Sequence, residues 1–291
     1  MKFGLSFANT GPFTSRAGLT ELAQGAEAAG FESVWTVEHV VFPTVYTSAY
    51  PYDPSGKMPM RADTPLPDPL LWLAFAASVT ERLRLATGIL ILPQRNPLVL
   101  AKELATLDDL SGGRLELGIG VGWLEEEFDA LGIPFAERGP RTDDAIEILR
   151  KAWSADDIAH ASPFAEFSGV SINPKPARGM VPVHVGGHSV AAAKRAGRLG
   201  DGYFPSGLDL DLAELFDIVR QTAADCGRDP DAIELTALAP ATLQNDPVAA
   251  VEEAAALGVD RLMVPAYWFW RDTRDALAAF GERVIRASAT G

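Results

Sequence analysis

Histidines, glycines and aromatic residues follow several of the apolar runs that we predict to be strands. His39 comes two residues after the run Ser33–Val37, Gly120–Trp123 closes another run, and Val185–Ser189 closes a third. An imidazole titrates near neutral pH, so His39 is the candidate acid/base or hydrogen-bond donor. Since parallel α/β proteins carry their active sites at the carboxyl ends of strands, this distribution predicts a functional site there.

The sequence VGGHS at Val185–Ser189 predicts a site for an anion. Gly186 and Gly187 allow the backbone to approach a ligand closely, and Ser189, after His188, can cap the helix that follows. The free N–H groups and partial positive charge of a helix N-terminus bind phosphate. Many strand-to-helix turns have a similar composition without binding anything, so both interpretations stay open.

The sequence GIGVGW, which ends at Trp123, predicts an open strand exit. It is not followed by the helix and distant acidic residue of a dinucleotide-binding motif, so we reject that interpretation. The missing side chains at Gly120 and Gly122 would leave space for a flat ring system. Trp123 is then either a wall of that space or a buried packing residue.

Other catalytic patterns are not visible. The four histidines are His39, His160, His184 and His188, and they form neither an HxH nor an HExxH pattern. We therefore expect no metal site. His184 lies inside a predicted strand and is interpreted as structural. Glu38 either orients His39 or is an ordinary carboxylate at a strand end. No G-x-S-x-G or Cys/His nucleophile arrangement is present.

Composition and charge narrow the possible partners. The 291 residues carry a formal net charge of −14, with 47% hydrophobic and 22% charged residues, which predicts a globular protein with a substantial core. The negative charge argues against nucleic acid or an anionic membrane as partner, and a phosphorylated cofactor would need local help from helix N-termini or placed cations. The single Cys226 cannot form an internal disulfide. With no signal-like or membrane-spanning segment, these features predict a cytoplasmic protein.

Alternation of strands and helices predicts the fold. Amphipathic helices such as Leu19–Ala29, which ends at Gly30, separate eight short apolar runs. Eight β-then-α units favour a (β/α)8 barrel over a doubly wound open sheet, in one domain over residues 1–291. The predicted strands are Lys2–Ala8, Ser33–Val37, Leu83–Leu92, Arg114–Val121, Val181–Gly186, Gly202–Phe204, Ile233–Ala239 and Arg261–Val264.

Two intervals, after strands 2 and 4, are too long for simple barrel loops. Ile158–Met180 alternates in a way that suggests a hairpin or an extended insertion. Val40–Pro67 has no helical period and follows strand 2, so it would lie over the active face of a barrel. Its apolar content favours a lid that covers substrate over a solvated excursion. The residues responsible are Tyr46, Tyr50, Tyr52, Met58 and Met60.

Four segments together resemble the luciferase-like flavin and deazaflavin oxidoreductases. They are GFESVWTVEHV (Gly30–Val40), Arg82–Trp123, RTDDAIEILRKAW (Arg141–Trp153) and PVHVGGHSVAAAKRAGRLGDGYFP (Pro182–Pro205). The resemblance is greatest to the actinobacterial branch that uses coenzyme F420, a 5-deazaflavin, in place of FMN. It implies a TIM barrel, usually dimeric, with the ring of the cofactor in the barrel mouth.

The resemblance also implies roles for individual residues. His39 would lie near the reactive face of the ring. Thr87, Gly88 and Ile89 would form a bulge in strand 3, which in this family often includes a non-proline cis peptide. Gly186–Ser189 would hold the phosphate of the cofactor.

The implied chemistry has three forms. A deazaflavin favours two-electron hydride transfer, FMN with oxygen would make a monooxygenase, and a non-catalytic deazaflavin-binding protein could use the same barrel. We favour F420-dependent hydride transfer to or from a small, apolar organic substrate. The sugar-phosphate dehydrogenases of the family have Glu where this chain has Trp123, so we do not expect that activity here.

Overall fold

In the computed structural model, which describes residues 1–207 and 210–289, nine parallel strand segments close into a barrel. Leu208, Asp209, Thr290 and Gly291, which belong to the domain predicted over residues 1–291, lie outside the described residues. The strands are β1 Lys2–Ser6, β2 Ser33–Thr36, β3 Arg84–Thr87, β4 Leu90–Ile91, β5 Leu115–Gly120, β6 Ile158–Ala161, β7 Glu166–Val170, β8 Val183–Gly186, β9 Gly202–Phe204, β10 Glu234–Leu238 and β11 Arg261–Pro265.

The predicted eight-stranded barrel is confirmed, because β3 and β4 are two parts of its third strand. Both segments pair with β5, so together they close the sheet between β2 and β8. The sequence predicted a single strand over Leu83–Leu92, with a bulge at Thr87–Ile89 implied by the family resemblance. A non-proline cis peptide at Gly88–Ile89 separates the two segments there. The ends of the other seven barrel strands agree with the predictions to within two residues.

Helices surround the barrel and begin at residues that cap their free N–H groups. Ser15, Asn96 and Ser189 each accept a hydrogen bond from the first turn that follows them, as side chains at N-caps do. The main helices are α1 Arg16–Ala29, α2 Pro69–Val79, α3 Pro97–Leu110, α4 Glu125–Ala130, α5 Arg138–Ser154, α6 Val190–Leu199, α7 Leu212–Asp225, α8 Pro247–Ala256 and α9 Thr273–Phe280. None of the described helices is long and apolar enough to span a bilayer.

The second insertion forms the predicted hairpin. Strands β6 and β7 pair antiparallel between α5 and β8. Lys175, which follows the hairpin, donates hydrogen bonds to the carbonyls of Ala152 and Ala155 at the end of α5. The hairpin therefore belongs to a helix-to-strand connection, at the end of the barrel opposite the carboxyl ends of the strands.

A charged network fills that opposite end of the barrel. Arg261 is fully buried and pairs with three carboxylates, those of Glu32, Glu116 and Glu234. His184 lies beside it, with Nε2 3.2 Å from Glu116. Burial on both faces explains why the strands read as continuous apolar runs, and these charges at the strand beginnings are the exception.

Candidate functional site

A carboxylate from α4 holds His39 just beyond the end of β2. The Nδ1 atom of His39 is 2.9 Å from Oε2 of Glu127, whose side chain is fully buried. The other oxygen, Oε1, accepts hydrogen bonds from the backbone N–H groups of Val40 (2.7 Å) and Val41 (3.3 Å). The candidate acid/base residue is therefore fixed by a group 88 positions away in the sequence.

The possibility that Glu38 orients His39 is wrong. Glu38 accepts a hydrogen bond from the backbone N–H of Ile91 (2.6 Å) and pairs with Arg95, which also contacts Asp68. Burial raises the pKa of the Glu38 carboxyl, and the pairing with Arg95 offsets this only in part. Glu38 thus holds β4, the second part of the broken third strand.

The residues predicted for the strand-3 bulge lie at the end of β3. The cis peptide joins Gly88 to Ile89, as the resemblance implied. The hydroxyl of Thr87 donates to the carbonyl of Gly118 (2.6 Å), and a Cβ on Gly88 would lie 2.9 Å from the ring of Trp35. The bulge is therefore packed directly on the interior of the barrel.

Ile89 occupies part of the space that we assigned to a ring. A Cβ on Gly120 would lie 2.6 Å from its Cδ1 atom, and a Cβ on Gly186 would lie 2.5 Å from its Cγ2 atom. At Gly122 the backbone has φ +82, and a Cβ would lie 2.6 Å from the ring of Phe128. The glycines at these strand ends thus accommodate side chains of this chain.

Trp123 belongs to a group of aromatic rings that we call the mouth cluster. The cluster consists of Phe42, Tyr46, Tyr50, Tyr52 and Trp123. A histidine contacts the cluster at each end. The ring centroid of His39 lies 5.9 Å from that of Trp123, and the ring centroid of His188 lies 5.4 Å from that of Tyr52. Burial raises the pKa of Tyr50 to about 12 and also raises the pKa of Tyr52, so these two phenols are neutral at physiological pH. Trp123 is half-buried within this cluster and is not a core residue; its role as a wall of a ring site stays a prediction.

A second glutamate of α4 anchors the segment of residues 40–67. The carboxylate of Glu126 accepts hydrogen bonds from the backbone N–H and hydroxyl groups of both Thr47 and Ser48, at 2.5 to 3.2 Å. Desolvation would raise the pKa of Glu126, but these hydrogen bonds outweigh it and lower that pKa to about 2. The segment therefore supplies four rings of the mouth cluster and is attached to α4 through the ionised carboxylate of Glu126; its role as a substrate lid stays a prediction.

The predicted anion site lies at the start of α6. The Ser189 hydroxyl accepts from the N–H of Ala192 (3.2 Å), and Gly187 has a left-handed backbone with φ +113. The Tyr203 hydroxyl donates to the Gly187 carbonyl (2.8 Å), which holds the turn. The Nδ1 atom of His188 is buried and has no hydrogen-bond partner among the described residues. A buried polar atom of this kind beside a helix N-terminus suits an anionic ligand.

Three residues with metal-binding atoms converge elsewhere in the barrel. Atoms of Glu116, His184 and Glu234 lie within 4.8 Å of one another. The guanidinium of Arg261 pairs with both carboxylates. An arginine therefore already supplies the positive charge that a metal would bring to this part of the described chain.

Sequence reasoning missed Glu127, although a signal for it exists. The run of three glutamates, Glu125–Glu127, is typical of a solvated helix face. Leu124 and Phe128 are buried and four positions apart, which defines the inner face of α4. Glu127 is three positions after Leu124 and so lies on that face. Helical spacing would have separated it from its two neighbours.

Relatives with similar sequences include characterised and uncharacterised proteins. An uncharacterised protein of Mycobacterium tuberculosis is 35% identical over 208 residues, which are 71% of this chain and 72% of that protein. The F420-dependent glucose-6-phosphate dehydrogenase of Kineococcus radiotolerans is 30% identical over 242 residues, 80% of this chain and 66% of that enzyme. The FMNH2-dependent dimethylsulfone monooxygenase of Pseudomonas fluorescens is 32% identical over 213 residues, 70% of this chain and 52% of that enzyme.

Solved structures share the fold. Monooxygenase RslO1 from Streptomyces bottropensis superimposes with a TM-score of 0.76 at 24% identity and covers 99% of both chains. An F420-dependent secondary alcohol dehydrogenase in complex with an F420-acetone adduct gives a TM-score of 0.77 at 18% identity, over 99% of this chain and 98% of that one.

The family model described as luciferase-like monooxygenase matches residues 1–285, nearly the whole chain. Family members use F420 or FMN and act on small molecules. The chain therefore belongs to the luciferase-like monooxygenase family and is an oxidoreductase or monooxygenase of that family.

Proposed function

We propose that this protein transfers a hydride between coenzyme F420 and a small, apolar organic substrate. The observation that carries the proposal is the arrangement at the carboxyl ends of the strands. There the mouth cluster joins a histidine held by a carboxylate to an anion site at a helix N-terminus. A cofactor with both a reactive ring and a phosphate needs these two kinds of group.

The residues of the site fit such a cofactor. Gly187, His188 and the first turn of α6 would hold its phosphate, because the Nδ1 atom of His188 is buried and unpaired among the described residues. The bulge at Gly88–Ile89 and the side chain of Trp123 would border its ring. When bound, the deazaflavin supplies a carbon centre that exchanges a hydride.

The other steps belong to side chains of this chain. His39 would donate or accept the proton that accompanies hydride transfer, since its ring is fixed at the inner edge of the mouth cluster. Phe42, Tyr46 and Tyr50 would exclude water and contact an apolar substrate. The relative from Kineococcus is named for a sugar phosphate, but Trp123 replaces the glutamate of that subgroup and argues for a different substrate.

An FMN-dependent monooxygenase is the second candidate, because one relative is FMNH2-dependent and 32% identical. The F420-dependent relative matches a longer stretch of the chain, 242 residues against 213. This difference in coverage, together with the greater resemblance of the chain to the F420 branch, favours the deazaflavin.

Binding measurements on the purified protein test the choice. We expect micromolar or tighter binding of F420 by fluorescence, and FMN binding weaker by roughly tenfold, which is ~1.4 kcal/mol. Replacing Gly187 with Ala would strain the left-handed turn and should weaken both cofactors through their phosphates. Equal or tighter binding of FMN would instead favour the monooxygenase.

We also propose that the protein is a homodimer. Helix α2 has no charged residue, and its side chains Leu71 and Phe75, one turn apart, are 67% and 59% exposed. Val99 at the start of α3 is 56% exposed. A second copy would bury such apolar side chains. Light scattering should give a dimer for the wild type and a monomer for Leu71→Lys/Phe75→Lys; a monomeric wild type would contradict the proposal.

A further inference from the structure

Three consecutive glutamates of α4 lie in three different environments. Glu125 is exposed, and no hydrogen bond or ion pair of its side chain is found among the described residues. Glu126 holds Thr47 and Ser48. Glu127 is fully buried, and within the described chain His39 offers the only basic group within ion-pair distance of its carboxylate.

The partners of Glu127 fix the direction of its hydrogen bonds. The backbone N–H groups of Val40 and Val41 can only donate, so Oε1 accepts from both. An ionised carboxylate accepts at both oxygens, so the third partner, Nδ1 of His39, also donates. The ring of His39 then carries a proton on Nδ1, and its tautomer is set by its carboxylate partner.

We infer that Glu127 is a positioning residue that keeps His39 in the Nδ1–H form, so that Nε2 is the atom that exchanges a proton with the reactants. The inference rests on the proposed function, in which His39 acts on the reacting molecules. Within the described residues no hydrogen bond uses Nε2. Because Glu127 also binds the two residues that follow His39, it fixes the ring and its backbone together.

A glutamine at position 127 cannot reproduce this pattern. Its amide has one acceptor oxygen and one NH2 donor, whereas the site presents three donors. If the amide oxygen keeps the hydrogen bonds from the N–H groups of Val40 and Val41, the NH2 group faces Nδ1 of His39. The ring must then accept at Nδ1 and carry its proton on Nε2. Glu127→Gln therefore exchanges the tautomer while leaving the size of the side chain almost unchanged.

Nitrogen NMR of the unliganded protein tests the assignment directly. The chain has four histidines, and the spectrum of His39→Ala identifies the signals of His39. In the neutral form of the ring, we expect wild-type His39 to be protonated on Nδ1 and His39 of Glu127→Gln to be protonated on Nε2. An Nε2–H wild type overturns the inference, even if the variant fails to fold. An unchanged tautomer in a folded Glu127→Gln protein also overturns it.

Kinetics supply a second test. Glu127→Gln should lower kcat by roughly 10²-fold, with a smaller effect on KM, as expected when a general acid/base has the wrong proton. In the His39→Ala background, Glu127→Gln should lower kcat little further. Unchanged kcat in Glu127→Gln, where His39→Ala has lost turnover, overturns the inference.

The neighbouring glutamates are matched controls. Glu125→Gln should change neither the tautomer nor kcat, and Glu126→Gln should leave the tautomer of His39 unchanged. A tautomer exchange in either control would overturn the specific role of Glu127. If His39→Ala keeps full turnover, the catalytic role in the proposed function fails, whereas the NMR result still decides the tautomer.

Discussion

The barrel contains two buried glutamate–histidine pairs, one at each end. At the mouth, Nδ1 of His39 is 2.9 Å from Glu127; at the opposite end, Nε2 of His184 is 3.2 Å from Glu116. Both carboxylates are nearly or fully inaccessible to solvent. The residue types and distances are similar, so the difference in role comes from the surroundings.

The Glu116–His184 pair at the opposite end is neutralised by other groups. Arg84 and Arg261 both contact Glu116. Burial alone would raise the pKa of Glu116, but its hydrogen bond to His184 and the charges around it hold that pKa well below its usual range. The remaining nitrogen of His184 is buried without a partner among the described residues and lies against Gly202. This pair is enclosed by charged partners and close packing, and we expect it to have a structural role.

The pair at the mouth has one carboxylate, one imidazole and no arginine among its described partners. The ring of His39 meets Phe42 and Trp123 edge to face, at the inner edge of the mouth cluster. Under the proposed function, the pair at the mouth differs from the other pair because no other cation among the described residues satisfies its carboxylate and Nε2 of His39 is left for the reactant.

The largest effect should come from Arg261. Replacing it with Leu leaves the carboxylates of Glu32, Glu116 and Glu234 without their shared cation, which should lower the free energy of unfolding by about 3–5 kcal/mol. Urea unfolding measures this. The exposed pair Arg61–Asp63 is the control, since Arg61→Ala should change stability by less than about 0.5 kcal/mol. Equal losses in both variants would contradict the structural role of the network.

The two histidines should respond in opposite ways. We expect His39→Ala to lower turnover by ~10²-fold or more while the melting temperature changes little. His184→Ala should lower stability by about 1–3 kcal/mol, because it leaves a cavity beside Glu116, and should keep turnover of the folded protein within about twofold. Steady-state rates and thermal melts separate the two. A stability loss without a rate loss in His39→Ala would make it a packing residue.

The mouth cluster should divide into two parts. Tyr46 and Tyr50 contact Trp123, so replacing both with Ser should raise the KM of substrate up to about tenfold while cofactor affinity is kept. Tyr52 contacts His188 at the anion site, so Tyr52→Ser should weaken cofactor binding. Fluorescence titration measures the cofactor affinity of each variant. Loss of cofactor binding in the Tyr46/Tyr50 variant would make the segment a wall of the cofactor site and not a lid.

The smallest effect concerns pH. Docking of residues 40–67 lowers the pKa of Glu126 from 4.5 to about 2, so its contribution to docking is complete above pH 4.5 and is lost as the pH falls toward 2. Cleavage within this segment by an acid protease should therefore accelerate a few-fold over that range, relative to an unstructured peptide substrate. Glu126→Gln should already be cleaved faster at pH 5 and should show a flatter dependence. Equal pH profiles of cleavage for the wild type and Glu126→Gln would contradict the role of Glu126 in anchoring the segment.

The fold followed from the sequence because its signals are local. An apolar run such as Gly202–Phe204 and a cap such as Ser189 depend on a few neighbouring residues, and both were located correctly. The break in strand 3 does not follow from the residues Leu83–Leu92, because apolar residues continue on both sides of Gly88; only the family resemblance implied it.

The site could be predicted only in part from the sequence, for a different reason. His39 and the turn before α6 are marked by their residue types at strand ends. The partner of His39 depends on a contact across 88 residues, and Glu38, adjacent in the sequence, was the nearer choice. Neighbours in the chain point to opposite faces of an extended segment, so adjacency is a poor guide to hydrogen bonding.

The packing of Ile89 against Gly120 and Gly186 makes these three positions a single steric unit. A methyl group added at either glycine would need to be matched by one removed at position 89, so substitutions there should be tolerated in pairs and rejected singly. Truncating the side chain alone, as in Ile89→Ala, would instead leave more space between the strand ends. That position is accordingly where redesign for a bulkier reactant should begin.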